Sequence, residues 1–241
     1  MGRAVLYDPA VKDTFKISRS KIDLYIQCPR CFYLNQRLGI KEPSGPGFSL
    51  NSAVDHLLKK EFDELRALGK AHPLMIENHV PAIPFTHEMM DKWRHNFTGV
   101  QYEDLEHNLL IYGAVDDIWI NRDEELIVVD YKSTSTQAEI TLDGKYKEGY
   151  KRQMEIYQWL LRKIGYKVNE TGYFVYANAR KDCDRFDCKL EFELQLLPYV
   201  GDDSWVDGVV TKIKECLDGP TVPENSPDCE LCAYVEKAKE V

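Results

Sequence analysis

Asp116, Asp130 and Lys132 carry the most specific chemical signal in this 241-residue chain. They lie in Gly113–Ser133, which reads GAVDDIWINRDEELIVVDYKS. Two runs rich in Val, Ile, Trp and Tyr, Leu109–Ile120 and Glu125–Lys132, flank a polar turn at Asn121–Glu124, and this pattern predicts a β-hairpin. Side chains alternate along a strand, so Val128, Asp130 and Lys132 share one face while Ile127, Val129 and Tyr131 take the other. Asp116 in the partner strand can approach Asp130. Two carboxylates converging beside a lysine suit a hard divalent cation with a charged helper. Asp117 competes for the same role, but strand neighbours face opposite ways, so only one of the two can point at the ion.

Cysteines form the second group. Cys28-x-x-Cys31 and Cys229-x-x-Cys232 each fit two corners of a tetrahedral thiolate site, and together they would clasp the two ends of the chain. The other reading is two unrelated pairs. The total of seven is odd and the expected compartment is reducing, so ligation is favoured over disulfides. Cys183, Cys188 and Cys216 read as ordinary buried or strand cysteines.

Several helices must position these groups. Lys16–Cys28 reads as an amphipathic helix capped by Ser18 or Ser20. After a Pro/Gly/Ser-rich loop at 41–49, Leu50–Leu68 has apolar residues at helical spacing, with Ser49 or Asn51 as its cap. His56 falls inside it and reads, on its own, as a half-exposed helical histidine. Residues 70–107 contain a short helix over Thr86–Phe97 and scattered histidines read as surface residues; this stretch is a candidate insertion. Tyr146–Ile164 reads as a long helix carrying Gln153 and Tyr157 four apart on one face. Gly172–Tyr176 and Phe186–Leu196 read as strands, and Ser204–Leu217 as a helix capped by Asp202 or Asp203. This order fits one domain, a central mixed sheet flanked by helices.

Gly113-x-x-Asp116 followed by Asp130-Tyr131-Lys132 resembles the core of the PD-(D/E)XK nuclease superfamily. The likeness is greater to its RecB-like branch, which includes the cysteine-cluster CRISPR adaptation nucleases. Val115 stands where the family's nominal proline would be. Ser18-x-Ser20 with Cys28, Pro29, Arg30, Phe32 and Tyr33, then Ser52-x-x-x-His56 and Gln153-x-x-x-Tyr157, fall in the branch's order. The resemblance implies an α/β restriction-endonuclease-like fold and metal-dependent hydrolysis of DNA, in repair, recombination or phage- and CRISPR-related processing. It implies Mg²⁺ or Mn²⁺ on Asp116, Asp130, the Tyr131 backbone carbonyl and His56, with imidazole favouring manganese. Lys132, Gln153 and Tyr157 complete the catalytic set, and Lys151 and Arg152 contact phosphates. Cys28, Cys31, Cys229 and Cys232 are implied to hold a 4Fe–4S cluster, although no cysteine follows Cys232; zinc is the alternative. The substrate is implied to be DNA, single-stranded or with free ends, with protein partners open. The rival function is a non-cleaving nucleic-acid-binding scaffold of the same fold.

Composition sets the outer limits. Apolar residues make up 44% and charged residues 29%, as in a globular protein, and no apolar run reaches the ~20 residues of a membrane helix. With no signal-peptide pattern, the expectation is a cytoplasmic protein. A net charge of −9 argues against a basic coat but is compatible with a carboxylate-rich metal site and local basic patches.

Overall fold

The computed structural model describes residues 5–43, 45 and 47–240; Ser44 and Pro46 of the 41–49 loop lie outside the described residues. In chain order the elements are β1 (Phe15–Ser18), α1 (Arg19–Gln27), α2 (Pro29–Arg37), α3 (Ser49–Leu68), α4 (Pro73–Glu77), β2 (Ala82–Pro84), α5 (Met90–Arg94) and β3 (Val100–Asp104). Then follow β4 (Leu109–Gly113), β5 (Asp117–Asn121), β6 (Leu126–Thr134), a 3₁₀ turn (Lys145–Lys147), α6 (Glu148–Lys163), β7 (Thr171–Ala179), β8 (Phe192–Val200), α7 (Val206–Asp218) and α8 (Glu230–Ala238). They form two compact units. One gathers Met1–Pro46, Tyr102–Tyr112 and Ser204–Val241; the other gathers Gly47–Gln101 and Gly113–Asp203.

In the first unit β1 runs parallel to β4, with Phe15 opposite Leu109 and Ser18 opposite Tyr112. Alternation buries Phe15, Ile17, Leu109 and Ile111. Within Lys16–Cys28 the expected helix is α1, with Ser18 at its N-cap as one of the two expected positions, and the residues before it belong to β1. Extended Cys28 ends α1, and Pro29 opens α2 at a first-turn position where its missing N–H costs nothing. Helix α7 packs against both α1 and α2.

The second unit is built on a five-stranded mixed sheet in the order β2-β5-β6-β7-β8. Strands β5 and β6 are antiparallel, β6 and β7 parallel, β7 and β8 antiparallel. The parallel pair needs a crossover, and α6 supplies it. Ile127, Val129, Tyr131, Val175 and Trp119 pack with Leu58 and Phe62 of α3 in one buried cluster. The other sheet face, carrying Asp130 and Phe174, meets α6: a Cβ on Gly172 would collide with the buried Met154 side chain.

Several sequence expectations shift. Leu109–Ile120 is not one strand, because the chain turns at Ala114–Asp116 between β4 and β5, which belong to different sheets. Phe186–Leu196 yields to β8, which starts at Phe192, and the helix over Thr86–Phe97 shrinks to α5. Phe48 rather than Ser49 caps α3, and Trp205 rather than an aspartate caps α7. Residues 70–107 contribute Leu74, Met75, Val80 and Ala82 to the sheet's core. His72 is not a surface histidine: it is buried, accepts from the Leu74 N–H at 3.0 Å to cap α4, and meets Glu61 at 2.9 Å.

Candidate active site

The site begins where the β5–β6 ladder stops. Its last pair is Asp117 with Val129, so the Tyr131 N–H has no β5 backbone partner. Asp116 Oδ2 accepts that N–H at 3.0 Å, which satisfies the donor and fixes the carboxylate against β6. Asp117 faces the opposite way, as the strand period requires. It is fully buried and surrounded: Arg66 pairs with it, Arg94 Nη2 reaches it at 2.8 Å and the Tyr131 hydroxyl donates at 2.8 Å. Burial first, and then the Asp117 charge, raises the Tyr131 phenol well above its usual value, so the hydroxyl keeps its proton and donates. Asp117 is therefore consumed by scaffold contacts.

Asp130 is also completely buried, on the other face of β6. Gln153 Nε2 donates to its Oδ1 at 2.6 Å and lies 3.1 Å from the Tyr157 hydroxyl. Lys132 Nζ is in ion-pair contact with Oδ2. Burial raises the Asp130 pKa; Lys132 works against the rise, and the adjacent Asp116 carboxyl adds to it. For Lys132 burial acts downward, but Asp130 and Asp116 outweigh it and hold the ammonium above its usual range. Tyr150, one turn before Gln153 on α6, places its ring 4.6 Å from the Lys132 ammonium.

Helix α3 forms the facing wall of an open cleft of about 380 Å³, lined by Asn51, Ser52, Asp55 and Leu58 from α3 and by Asp116, Lys132 and Tyr150. One helical residue is about 100° of rotation, so the face that presents Asp55 turns His56 away. His56 is exposed and does not line the cleft, which departs from the expected ligand set. Asp55 stands there in its place. Burial and the nearby Asp116 raise its pKa, and Lys59 Nζ spans the two acids, 2.9 Å from Asp55 and 3.4 Å from Asp116. Lys151 pairs with Glu148 at 2.8 Å, and neither Lys151 nor Arg152 lines the cleft. Lys147 is the basic residue drawn inward: it donates to the Tyr176 hydroxyl at 3.0 Å and lies 5.1 Å from the Tyr150 ring. Asp55, Lys59, Lys147 and Tyr150 were missed from sequence; the i, i+3 relation of Tyr150 to Gln153 was the available signal.

The donor set fits a hard cation. Asp130 is a buried carboxylate whose Oδ2 pairs with Lys132, Asp116 is beside it, and Asp55 adds a third carboxylate on the cleft wall. A strand residue presents its N–H and C=O to the same edge, so the Tyr131 carbonyl opens on the side of Asp116.

In the other unit the four paired cysteines converge, all sulfurs lying within 4.8 Å of one another. The Sγ of Cys31 is 3.6 Å from those of Cys229 and Cys232, and Cys28 is 3.9 Å from Cys232. Four thiolates about 2.3 Å from one tetrahedral ion would sit about 3.8 Å apart. Burial works to raise the Cys28 thiol, but backbone hydrogen bonds at Cys31 and Ser226, with the neighbouring thiols, bring it down to about 7, while burial and the neighbouring thiols push Cys31 and Cys232 up.

A family model described as the PD-(D/E)XK nuclease superfamily matches residues 16–236. No curated protein matches the sequence. Among solved structures, one described as "Crystal structure of SSO0001" is similar at 16% sequence identity and a TM-score of 0.43, over 94% of this chain and 86% of that one.

Proposed function

Since the chain belongs to the PD-(D/E)XK nuclease superfamily, we propose that its Asp116–Asp130–Lys132 cleft hydrolyses DNA phosphodiester bonds with Mg²⁺ or Mn²⁺, in the manner of the RecB-like branch. The observation that carries this reading is that Asp116 and Lys132 line one open cleft while the buried Asp130 pairs with Lys132 and lies next to Asp116. Asp116, Asp130 and the Tyr131 carbonyl would hold the ion, with Asp55 rather than His56 nearest to them on α3. A bound divalent ion supplies Lewis-acid polarisation of the phosphate and lowers the pKa of the attacking water. The chain's own residues do the rest. Gln153 engages Asp130 Oδ1 and Lys132 engages Oδ2, which together fix the carboxylate beside Asp116, and Tyr157 fixes Gln153. Lys132 offsets the negative charge that builds on the phosphate oxygens.

The test is cleavage of end-labelled single- and double-stranded DNA in Mn²⁺ or Mg²⁺. Asp116→Asn, Asp130→Asn and Lys132→Met are each expected to lower the rate at least about 100-fold, the scale of losing a group that stabilises developing charge. Undiminished cleavage by all three would sink the assignment. Tight DNA binding by the wild type with no cleavage in either metal would favour the scaffold reading.

For the cysteine site we propose a single tetrahedral ion of the zinc type. Three sulfur separations of 3.6–3.9 Å, with all four sulfurs within 4.8 Å of one another, support this over a 4Fe–4S cluster, in which each thiolate binds a different iron. Metal analysis of the purified protein checks it: one zinc per chain and no visible absorption are expected, whereas a brown protein with four irons would overturn it.

A further inference from the structure

Phe48 caps the start of α3 with its side chain in solvent: it is 78% exposed, and it lines the same cleft as Asp116 and Lys132. The cleft's other apolar linings are held by the fold. Leu58 and Tyr131 are buried in the sheet's core cluster and Val54 packs against it. The Phe48 ring makes no aromatic contact among the described residues. A large bare ring is thus kept at the mouth of a cleft whose floor is carboxylate and ammonium.

Building on the nuclease reading above, we infer that Phe48 is a stacking platform for one unpaired nucleobase of the substrate strand, and that the cleft therefore selects single-stranded DNA or a frayed end. The chemistry of the two parts is complementary. The carboxylates and ammonium of the floor suit a phosphodiester. The ring offers a π-face, which any base can cover without sequence preference. Inside a duplex both faces of each base are already stacked on neighbours, so a side chain gains such a contact only with a base that is single-stranded or extruded. The strand's backbone would pass along the Tyr150 wall. There Lys147 spends one of its three ammonium donors on the Tyr176 hydroxyl and keeps two for phosphate oxygens.

The test is fluorescence anisotropy in Ca²⁺, which supports binding without turnover, using a labelled oligothymidine, the same strand with abasic sites, and a blunt duplex. Phe48→Ala is expected to weaken oligothymidine binding about tenfold, Phe48→Trp to restore it, and the abasic strand to bind wild type and Phe48→Ala alike. Because the side chain is exposed, the alanine variant should keep the wild-type melting temperature and Mn²⁺ affinity. Oligothymidine binding by Phe48→Ala within twofold of wild type would overturn the inference. So would an equal loss on the abasic strand. Either result leaves the nuclease reading standing if Asp116→Asn still abolishes Mn²⁺ binding by calorimetry. A wild type that binds no strand at all would overturn both.

Discussion

Asp116 and Asp117 are adjacent in sequence and opposite in use. Asp117 is enclosed by Arg66, Arg94 and the Tyr131 hydroxyl, so removing it leaves two guanidinium groups, each only 9% exposed, with the more exposed Asp63 as their remaining counter-charge. Breaking a buried pair of this kind costs about 3–5 kcal/mol. Asp117→Ala should lower the urea midpoint by that scale, whereas Asp116→Ala, which loses a partly exposed carboxylate, should move it far less and abolish Mn²⁺ binding instead. Tyr131 touches both acids, Asp116 through its main chain and Asp117 through its hydroxyl. Tyr131→Phe keeps the first contact and loses the second. A cost of about 1.5–3 kcal/mol is expected for a hydrogen bond to a charged group, read by denaturation, with Mn²⁺ affinity by calorimetry unchanged. The acid pair and lysine were legible because strand alternation alone assigns faces to Asp130 and Lys132. That Asp55 rather than His56 lines the cleft was not, since it depends on the rotation of α3 about its axis, which only packing against the sheet determines.

Helices and strands were legible in proportion to how far local patterning decides them. Strand β6 is apolar and alternating, and it lies where its sequence puts it. Strand β8 was displaced because the pattern FDCKLEFELQL alternates throughout, while the chain turns through left-handed Asp187 and Cys188 before the ladder begins. Pro198 would argue against a strand interior, but β8 is an edge strand of the five-stranded sheet, where a missing N–H is tolerated. Short β2 carries Pro84 at the opposite edge for the same reason. The break between β4 and β5 had one available signal, Gly113. Its carbonyl lies against Gly99, which has a φ of 62°, and a Cβ at Gly99 would overlap that carbonyl. Gly99→Ala therefore combines left-handed strain with a backbone clash. It should cost at least about 1–3 kcal/mol, seen as a lower melting temperature, although residue 99 touches none of the acids.

At the scale of the whole chain, the cysteine site joins residues 198 positions apart within one compact unit. A metal ion held there would contribute to the folding free energy of that unit. Stripping it with a chelator, or replacing Cys232 by Ser, should lower the melting temperature measured by circular dichroism, and adding zinc back should restore it only in the wild type. That pairing of distant thiols was legible as two Cys-x-x-Cys motifs. The division of the chain into two units was not, because each unit interleaves separated stretches and no linker composition marks the crossings. The arrangement also has a temporal side. A ribosome adds roughly 5–20 residues per second, so Cys28 and Cys31 are synthesised roughly 10–40 s before Cys229 and Cys232. Through that interval the first two thiols wait as an unfinished half-site, open to stray metals and oxidants, and the nascent chain completes the unit only after its last helix is released.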